Sequence, residues 1–165
     1  TLRMLTREEE VSRRASMGLD PLASNWRFKR FSKALHGTRR ALKSVLLDQA
    51  RIAGLGNIYA CEVGHLAGLS PLRRVDELSE AESRRIFDVI GPLLRESARV
   101  GGTRLTELDD LQYIHEPQLH LDNFEVRLRV YGREGEPCLR RGCEGIIERF
   151  VQQQRSTFWC PKCQP

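Results

Sequence analysis

Four of the five cysteines crowd into the last 28 residues, as Cys138-x4-Cys143 and Cys160-x2-Cys163 with sixteen residues between the pairs. Two close pairs separated by a hairpin-length insert are what a tetrahedral thiolate zinc site requires, because each pair forms a knuckle that presents two sulfurs to one ion. So short a tail cannot bury a core alone, and metal binding supplies its folding energy. The expected cofactor is one zinc per chain, held by Cys138, Cys143, Cys160 and Cys163. Its role is structural, since four protein ligands leave no open coordination position. Two disulfides are the alternative, which a reducing compartment disfavours. Cys61 stands apart from the others and reads as a buried, inert thiol. His36, His65, His115 and His120 show no HExxH spacing and are expected not to be ligands.

Upstream the apolar pattern is helical. Eleven aromatic residues in 165 favour a body of Leu, Ile, Val and Ala in helices over an aromatic-rich sheet, in one domain or two small ones. Ser24 or Asn25 is expected to cap a helix carrying Trp26, Phe28, Phe31 and Leu35, which His36-Gly37 stops. Thr38 should cap a second helix with Ala41, Leu42, Val45 and Leu46. Ala53-Gly54-Leu55-Gly56-Asn57 reads as a turn, with Asn57 capping a helix that holds Ile58, Tyr59, Val63 and Leu66 and ends at Gly68. Ser79-Glu80-Ala81-Glu82 is a capping box for a long helix with Ile86, Val89, Ile90, Leu93 and Leu94 inward. Pro92 predicts a kink or break in it, and Gly101-Gly102 its end. Residues 105–125 read as a long loop, and 1–20 as a linker or the tail of another domain. Short strands are expected from Glu125 to Tyr131, from Ile146 to Val151 and over Thr157-Phe158-Trp159. The fold class is mainly α, with a small zinc-binding β-hairpin at the end.

Charge is partitioned along the chain: residues 21–60 carry +7, 61–126 carry −6 and 127–165 carry +4. If folding brings the two basic segments to one face, a polyanion is the natural partner; otherwise they are solvated surfaces. No apolar run approaches the roughly 18 residues that cross a bilayer, so the expectation is a cytoplasmic protein without membrane contact.

Two motifs then carry a resemblance. Gly54-Leu55-Gly56-Asn57-Ile58-Tyr59-Ala60-Cys61-Glu62, with Ala67-Gly68-Leu69-Ser70-Pro71-Leu72-Arg73 after it, resembles the helix-two-turns-helix signature of the bacterial formamidopyrimidine-DNA glycosylase and endonuclease VIII family. The stretches from Val130 to Cys138 and from Arg155 to Gln164 resemble that family's zinc finger, in its formamidopyrimidine branch. The resemblance implies a helix-two-turns-helix DNA-binding domain over 21–125, a zinc finger over 126–165, and 1–20 as the linker from an N-terminal β-sandwich domain. It implies DNA contacts at Asn57 in the glycine turn and Arg155 on the finger, with Lys43, Gly54, Gly56 and Tyr59 beside them. The physics is compatible: a glycine turn at a helix N-terminus offers N–H groups to an anion, and an arginine at a hairpin tip offers a bidentate fork.

The implied activity is base-excision repair of oxidised purines, formamidopyrimidine and oxoguanine, by a glycosylase and AP lyase. The partner is double-stranded DNA with a damaged base or abasic site, and the protein is a monomer of the bacterial cytosol and nucleoid. The family's nucleophilic proline and following glutamate do not occur in Thr1-Leu2-Arg3-Met4, so these 165 residues are expected to bind DNA without a catalytic residue among them. The x4 spacing of the first cysteine pair and the run Tyr113-Ile114-His115-Glu116-Pro117 also depart from the family pattern. A non-enzymatic nucleic-acid-binding descendant and a ribosome-associated protein remain open at this point.

Overall fold

The computed structural model describes residues 6–99 and 128–165. Its elements, in chain order, are α1 (Arg7–Ala15), α2 (Phe28–Leu35), α3 (Leu42–Leu46), α4 (Asn57–Ala67), a 3-10 turn (Val75–Glu77), α5 (Glu80–Arg99), β1 (Glu148–Gln152) and β2 (Arg155–Trp159). The mainly helical class with a terminal hairpin is what the sequence predicts. The expected end at Gly101-Gly102, the loop over 105–125, His115 and His120 lie outside the described residues.

Several local expectations are corrected. The linker expected over 1–20 contains a helix, because Thr6-Arg7-Glu8-Glu9 forms a capping box that opens α1: Thr6 N–H donates to Glu9 Oε2 at 2.9 Å and Glu9 N–H to Thr6 Oγ1 at 3.2 Å. Residues 18 and 19 then dock on the helical body, Gly18 N–H donating to Gln49 O at 2.8 Å and Leu19 N–H to Arg51 O at 3.0 Å. A Cβ on Gly18 would lie 2.3 Å from the Arg51 carbonyl carbon, so only glycine allows this approach. Neither Ser24 nor Asn25 caps α2. Asp20 accepts from Leu22 N–H and draws 20–26 into turns, and the helix starts after Arg27. Thr38 does not cap α3 either, because its hydroxyl accepts from Arg40 N–H. The cap is tertiary: Leu42 N–H donates to Arg73 O and Lys43 N–H to Pro71 O.

The remaining boundaries follow the sequence. Gly68 ends α4 at φ +68°, and the Ser79–Glu82 box forms with bonds of 2.8 and 3.2 Å. Pro92 lies inside α5 without breaking it. The packing of α5 on α2 and α4, through fully buried Ile86 and Ile90 before Pro92 and half-buried Leu93 and Leu94 after it, holds the helix on both sides of the missing N–H. Strands β1 and β2 pair antiparallel from Glu148↔Trp159 to Gln152↔Arg155. Residues 128–131 are not a strand, for a reason that Glu62 supplies below.

The described residues form two cores. The larger gathers Phe31, Leu35, Leu42, Val45, Leu46 and Ile52 with residues of α4 and α5; at its margin Trp26 stacks on Phe87 and Phe28 meets Phe87 edge-on. The smaller lies under the hairpin and consists of Val130, Cys138, Ile147, Phe158, Cys160 and, from α4, Cys61. Helix α4 therefore belongs to both cores, and it fixes the hairpin on the helical body.

Candidate nucleic-acid interface and metal centre

The four cysteines converge. Their Sγ atoms all lie within 4.8 Å of one another, with Cys138–Cys163 at 3.8 Å and Cys143–Cys160 at 3.7 Å. A tetrahedron with metal–sulfur bonds near 2.3 Å has edges of about 3.8 Å, whereas a disulfide needs about 2.05 Å, so the cluster fits one metal ion and not two disulfides. Backbone N–H groups of Arg140 and Gly145 point at Cys138 and Cys143 Sγ, both at 3.4 Å. A Cβ on Gly145 would sit 2.5 Å from Cys160 Sγ, so glycine is required beside the cluster.

The finger docks on the helical body through polar side chains that the two cores surround. Lys43 is 1% exposed, and its ammonium donates to Ser156 O at 3.0 Å and to Thr157 Oγ1 at 2.7 Å. Burial lowers its pKa, the neighbouring Cys61 opposes that shift and the charge of Arg155 adds to it. Asn57 is the first residue of α4, yet it does not cap the helix. Gly56 is the N-cap, and the Asn57 amide instead donates to Ser156 O at 3.0 Å and to Tyr131 Oη at 3.3 Å. Gln164 accepts from Cys160 N–H at 2.8 Å and donates to Leu69 O at 2.9 Å. The Arg140 guanidinium donates to His65 O and Leu66 O at the end of α4.

Glu62 and His65 face the finger from the same helix, and sequence reasoning missed the part that each plays. The Glu62 carboxylate, 2% exposed, accepts from Arg129, Val130 and Tyr131 N–H at 2.9, 2.9 and 3.0 Å. Three successive N–H groups turned to one carboxylate cannot alternate as a strand requires, which corrects the expected strand there. A lone acidic residue in the otherwise apolar run of α4 was the available signal. His65 is not one of the four ligands, as expected, but its Nε2 lies 3.3 Å from Cys138 Sγ. Burial, reinforced by Arg140, Arg129 and Arg133, pushes its imidazole down to about 4. Cys61 is buried with its thiol pushed up by burial, as an inert cysteine should be.

Gly56 and Arg155 both line a depression of about 540 Å³ between the segment that joins α3 to α4 and the hairpin tip, which Arg40, Asp48 and Gln153 also line. Gly54 takes φ +84° beside it, and its N–H is held by Gln49 Oε1 at 2.9 Å. At the tip, Gln153 and Gln154 both adopt left-handed φ, +51° and +61°, as a two-residue type I′ turn demands. Two of the expected DNA contacts point elsewhere. Lys43 is spent on the hairpin, and the Tyr59 hydroxyl is bonded to Ser97 on α5.

Residues 17–109 match the family described as the formamidopyrimidine-DNA glycosylase H2TH domain. The chain belongs to this family. Residues 135–165 of this H2TH-family chain match the zinc finger found in FPG and IleRS. Among curated proteins it is 42% identical over 154 residues to formamidopyrimidine-DNA glycosylase of Bradyrhizobium sp. (strain ORS 278), covering 90% of this chain and 50% of the relative. It is 41% identical over 150 residues to the enzyme of that name from Cereibacter sphaeroides, covering 91% and 51%. Among solved structures it is similar to MutM (Fpg) of Thermus thermophilus, with TM-score 0.78, 37% identity, and 96% of this chain and 57% of that one covered. It is also similar to Lactococcus lactis Fpg in complex with DNA containing an abasic site, with TM-score 0.78, 27% identity, and 97% and 56% covered. The chain spans about half the length of the curated relatives it matches. Among the described residues no helix is long and apolar enough to cross a membrane.

Proposed function

We propose that these residues are the DNA-binding part of a base-excision-repair DNA glycosylase and AP lyase that acts on oxidised purines, formamidopyrimidine and oxoguanine, in bacterial double-stranded DNA. The observation that carries the reading is the meeting of Gly56, at the head of α4, and Arg155, at the foot of β2, on one depression. The names of the relatives and the abasic-site DNA in the Lactococcus lactis complex support it. A phosphate seated there would face the first N–H groups of α4, which no side chain caps, and the guanidinium of Arg155. Gly56 lets the backbone approach because it has no Cβ, and Gly54 makes the turn that aims it. Asn57 contributes by exchanging its longer bond, to Tyr131, for a phosphate oxygen. Lys43 and Tyr59 act as positioning residues, Lys43 by pinning the carbonyl next to Arg155.

The metal is one structural zinc on Cys138, Cys143, Cys160 and Cys163, which closes the finger and holds β2 where Arg155 is useful. The helical unit is 21–125, with residues 18 and 19 docked ahead of it on the 48–53 turn; the finger is 126–165, and residues 1–20 are the linker to a β-sandwich domain. The protein acts as a monomer in the bacterial cytosol, on the nucleoid. None of the 165 residues is given a catalytic role. The test is anisotropy with duplexes carrying a tetrahydrofuran abasic analogue, beside borohydride trapping on a true abasic site. Binding without a covalent adduct is the expected pair of results. No binding overturns the DNA-binding assignment, and efficient trapping overturns the placing of the attacking amine outside these residues.

A further inference from the structure

Helix α4 reaches the cysteine cluster with a side chain that is not one of its ligands. His65 is 1% exposed, its Nε2 lies 3.3 Å from Cys138 Sγ, and its Nδ1 is buried without a hydrogen-bond partner. Nothing receives a proton on Nδ1, whereas Nε2 lies against a sulfur that a four-thiolate metal site makes anionic, so the geometry puts a ring proton on Nε2. As a filler of space the residue is poorly chosen, because a phenylalanine or leucine would occupy the same position without stranding a ring nitrogen. What the imidazole adds is the N–H.

We infer that His65 is an outer-shell donor to the Cys138 thiolate, coupling the metal cluster to the helix that begins at Asn57; this rests on the reading of the four cysteines as a zinc site. Four thiolates around a divalent ion leave a net charge of −2 in a partly buried setting, and N–H donors spread that charge and orient the sulfur lone pairs. Cys138 receives the Arg140 backbone N–H and the His65 ring. Arg140 in turn clamps the carbonyls of His65 and Leu66, so ligand, donor and helix end form one connected unit. From His65 the helix runs eight residues back, about 12 Å at 1.5 Å per residue, to Asn57 and the Ser156 carbonyl that both Asn57 and Lys43 hold. Loading the metal thus bears on the DNA-facing end of α4 as well as on the finger.

The direct test is NMR of the full 165-residue chain loaded with ¹¹³Cd. A slowly exchanging His65 Nε2–H with scalar coupling to the cadmium, carried through the N–H···S bond, is the expected result. A chain that takes up cadmium but shows no such coupling overturns this proposal and leaves the metal site intact. A chain that takes up no metal overturns the zinc reading and this proposal with it. His65→Phe and His65→Gln supply a second reading. In the cobalt-loaded protein, His65→Phe should move the sulfur-to-cobalt charge-transfer band to lower energy and weaken zinc retention against a chelator about 10-fold or more. His65→Gln, which keeps an N–H donor, should recover part of both. A charge-transfer band and zinc affinity unchanged in a folded His65→Phe protein would mean that His65 only fills space.

Discussion

Replacing Glu62 by glutamine keeps the size and shape of the side chain and removes only its ability to accept three N–H bonds as an anion. Val130 and Tyr131 N–H share Oε1, and Arg129 N–H uses Oε2. Glutamine can satisfy the first two through its carbonyl, but its amide nitrogen then faces the Arg129 N–H as a second donor. Hydrogen bonds to a charged group contribute about 1.5–3 kcal/mol each and neutral ones about 0.5–1.5. One bond lost and two weakened therefore give a destabilisation of roughly 3.5–6 kcal/mol for a residue 2% exposed. At roughly 2–4 °C per kcal/mol for a chain of this size, the melting temperature of the zinc-loaded protein should fall by roughly 7–24 °C. Differential scanning calorimetry supplies the number. Trp26, in the helical core, and Trp159, on β2, supply the location when each is replaced in turn by phenylalanine. The finger signal should melt first, because the lost bonds join the finger to α4. A glutamine variant that melts within about 2 °C of the parent, less than the smallest shift expected here, would refute the reasoning that this carboxylate organises 129–131.

The Gln153-Gln154 turn holds two side chains in left-handed backbone, so replacing the pair by Asn-Gly should raise stability by about 1 kcal/mol and the melting temperature by a few degrees in calorimetry. Asp48 accepts from Arg40 at 2.7 Å, and that bond holds its carboxyl below the usual carboxylate range. Its contribution is complete above the unfolded value near 3.9 and disappears as pH falls through the lower folded value. Asp48→Asn should therefore melt lower than the parent at pH 7, by an amount worth a few tenths to about 1 kcal/mol, and the gap should close below about pH 4. Asn57→Ala and Asn57→Asp both lose the amide bonds to Ser156 O and Tyr131 Oη and should both melt lower than the parent in calorimetry; Asn57→Asp, whose carboxylate also faces the phosphate, should bind abasic duplex more weakly than Asn57→Ala, and equal affinities of the two folded variants would remove Asn57 from the contact.

The elements that sequence reasoning reached are those whose cause is local. The Ser79–Glu82 box, the left-handed stop at Gly68 and the cysteine knuckles are each written within a few residues. Thr6-Arg7-Glu8-Glu9 was equally local, and the same capping rule locates α1 once it is applied there. What failed was decided at a distance. Thr38 is displaced as a cap by the carbonyls of Pro71 and Arg73, more than thirty residues on, and Asn57 turns from its own helix to Ser156. Lys43 carries the charge of a phosphate contact, but its fate depends on which face of a five-residue helix the finger covers. Glu62 and His65 become meaningful only when the finger lies against α4, a packing that periodicity along one helix does not contain.

The central claim is that the glycine turn and the finger arginine grip one DNA backbone together. It is tested most directly by the salt dependence of affinity for an abasic-site duplex, measured by anisotropy for the zinc-loaded parent and for Arg155→Ala. The account predicts weaker binding to damaged and undamaged duplexes alike, and a slope of log affinity against log salt that is shallower by about 0.9, the counterion release of one phosphate contact. Equal slopes and equal affinities for the two proteins would contradict it.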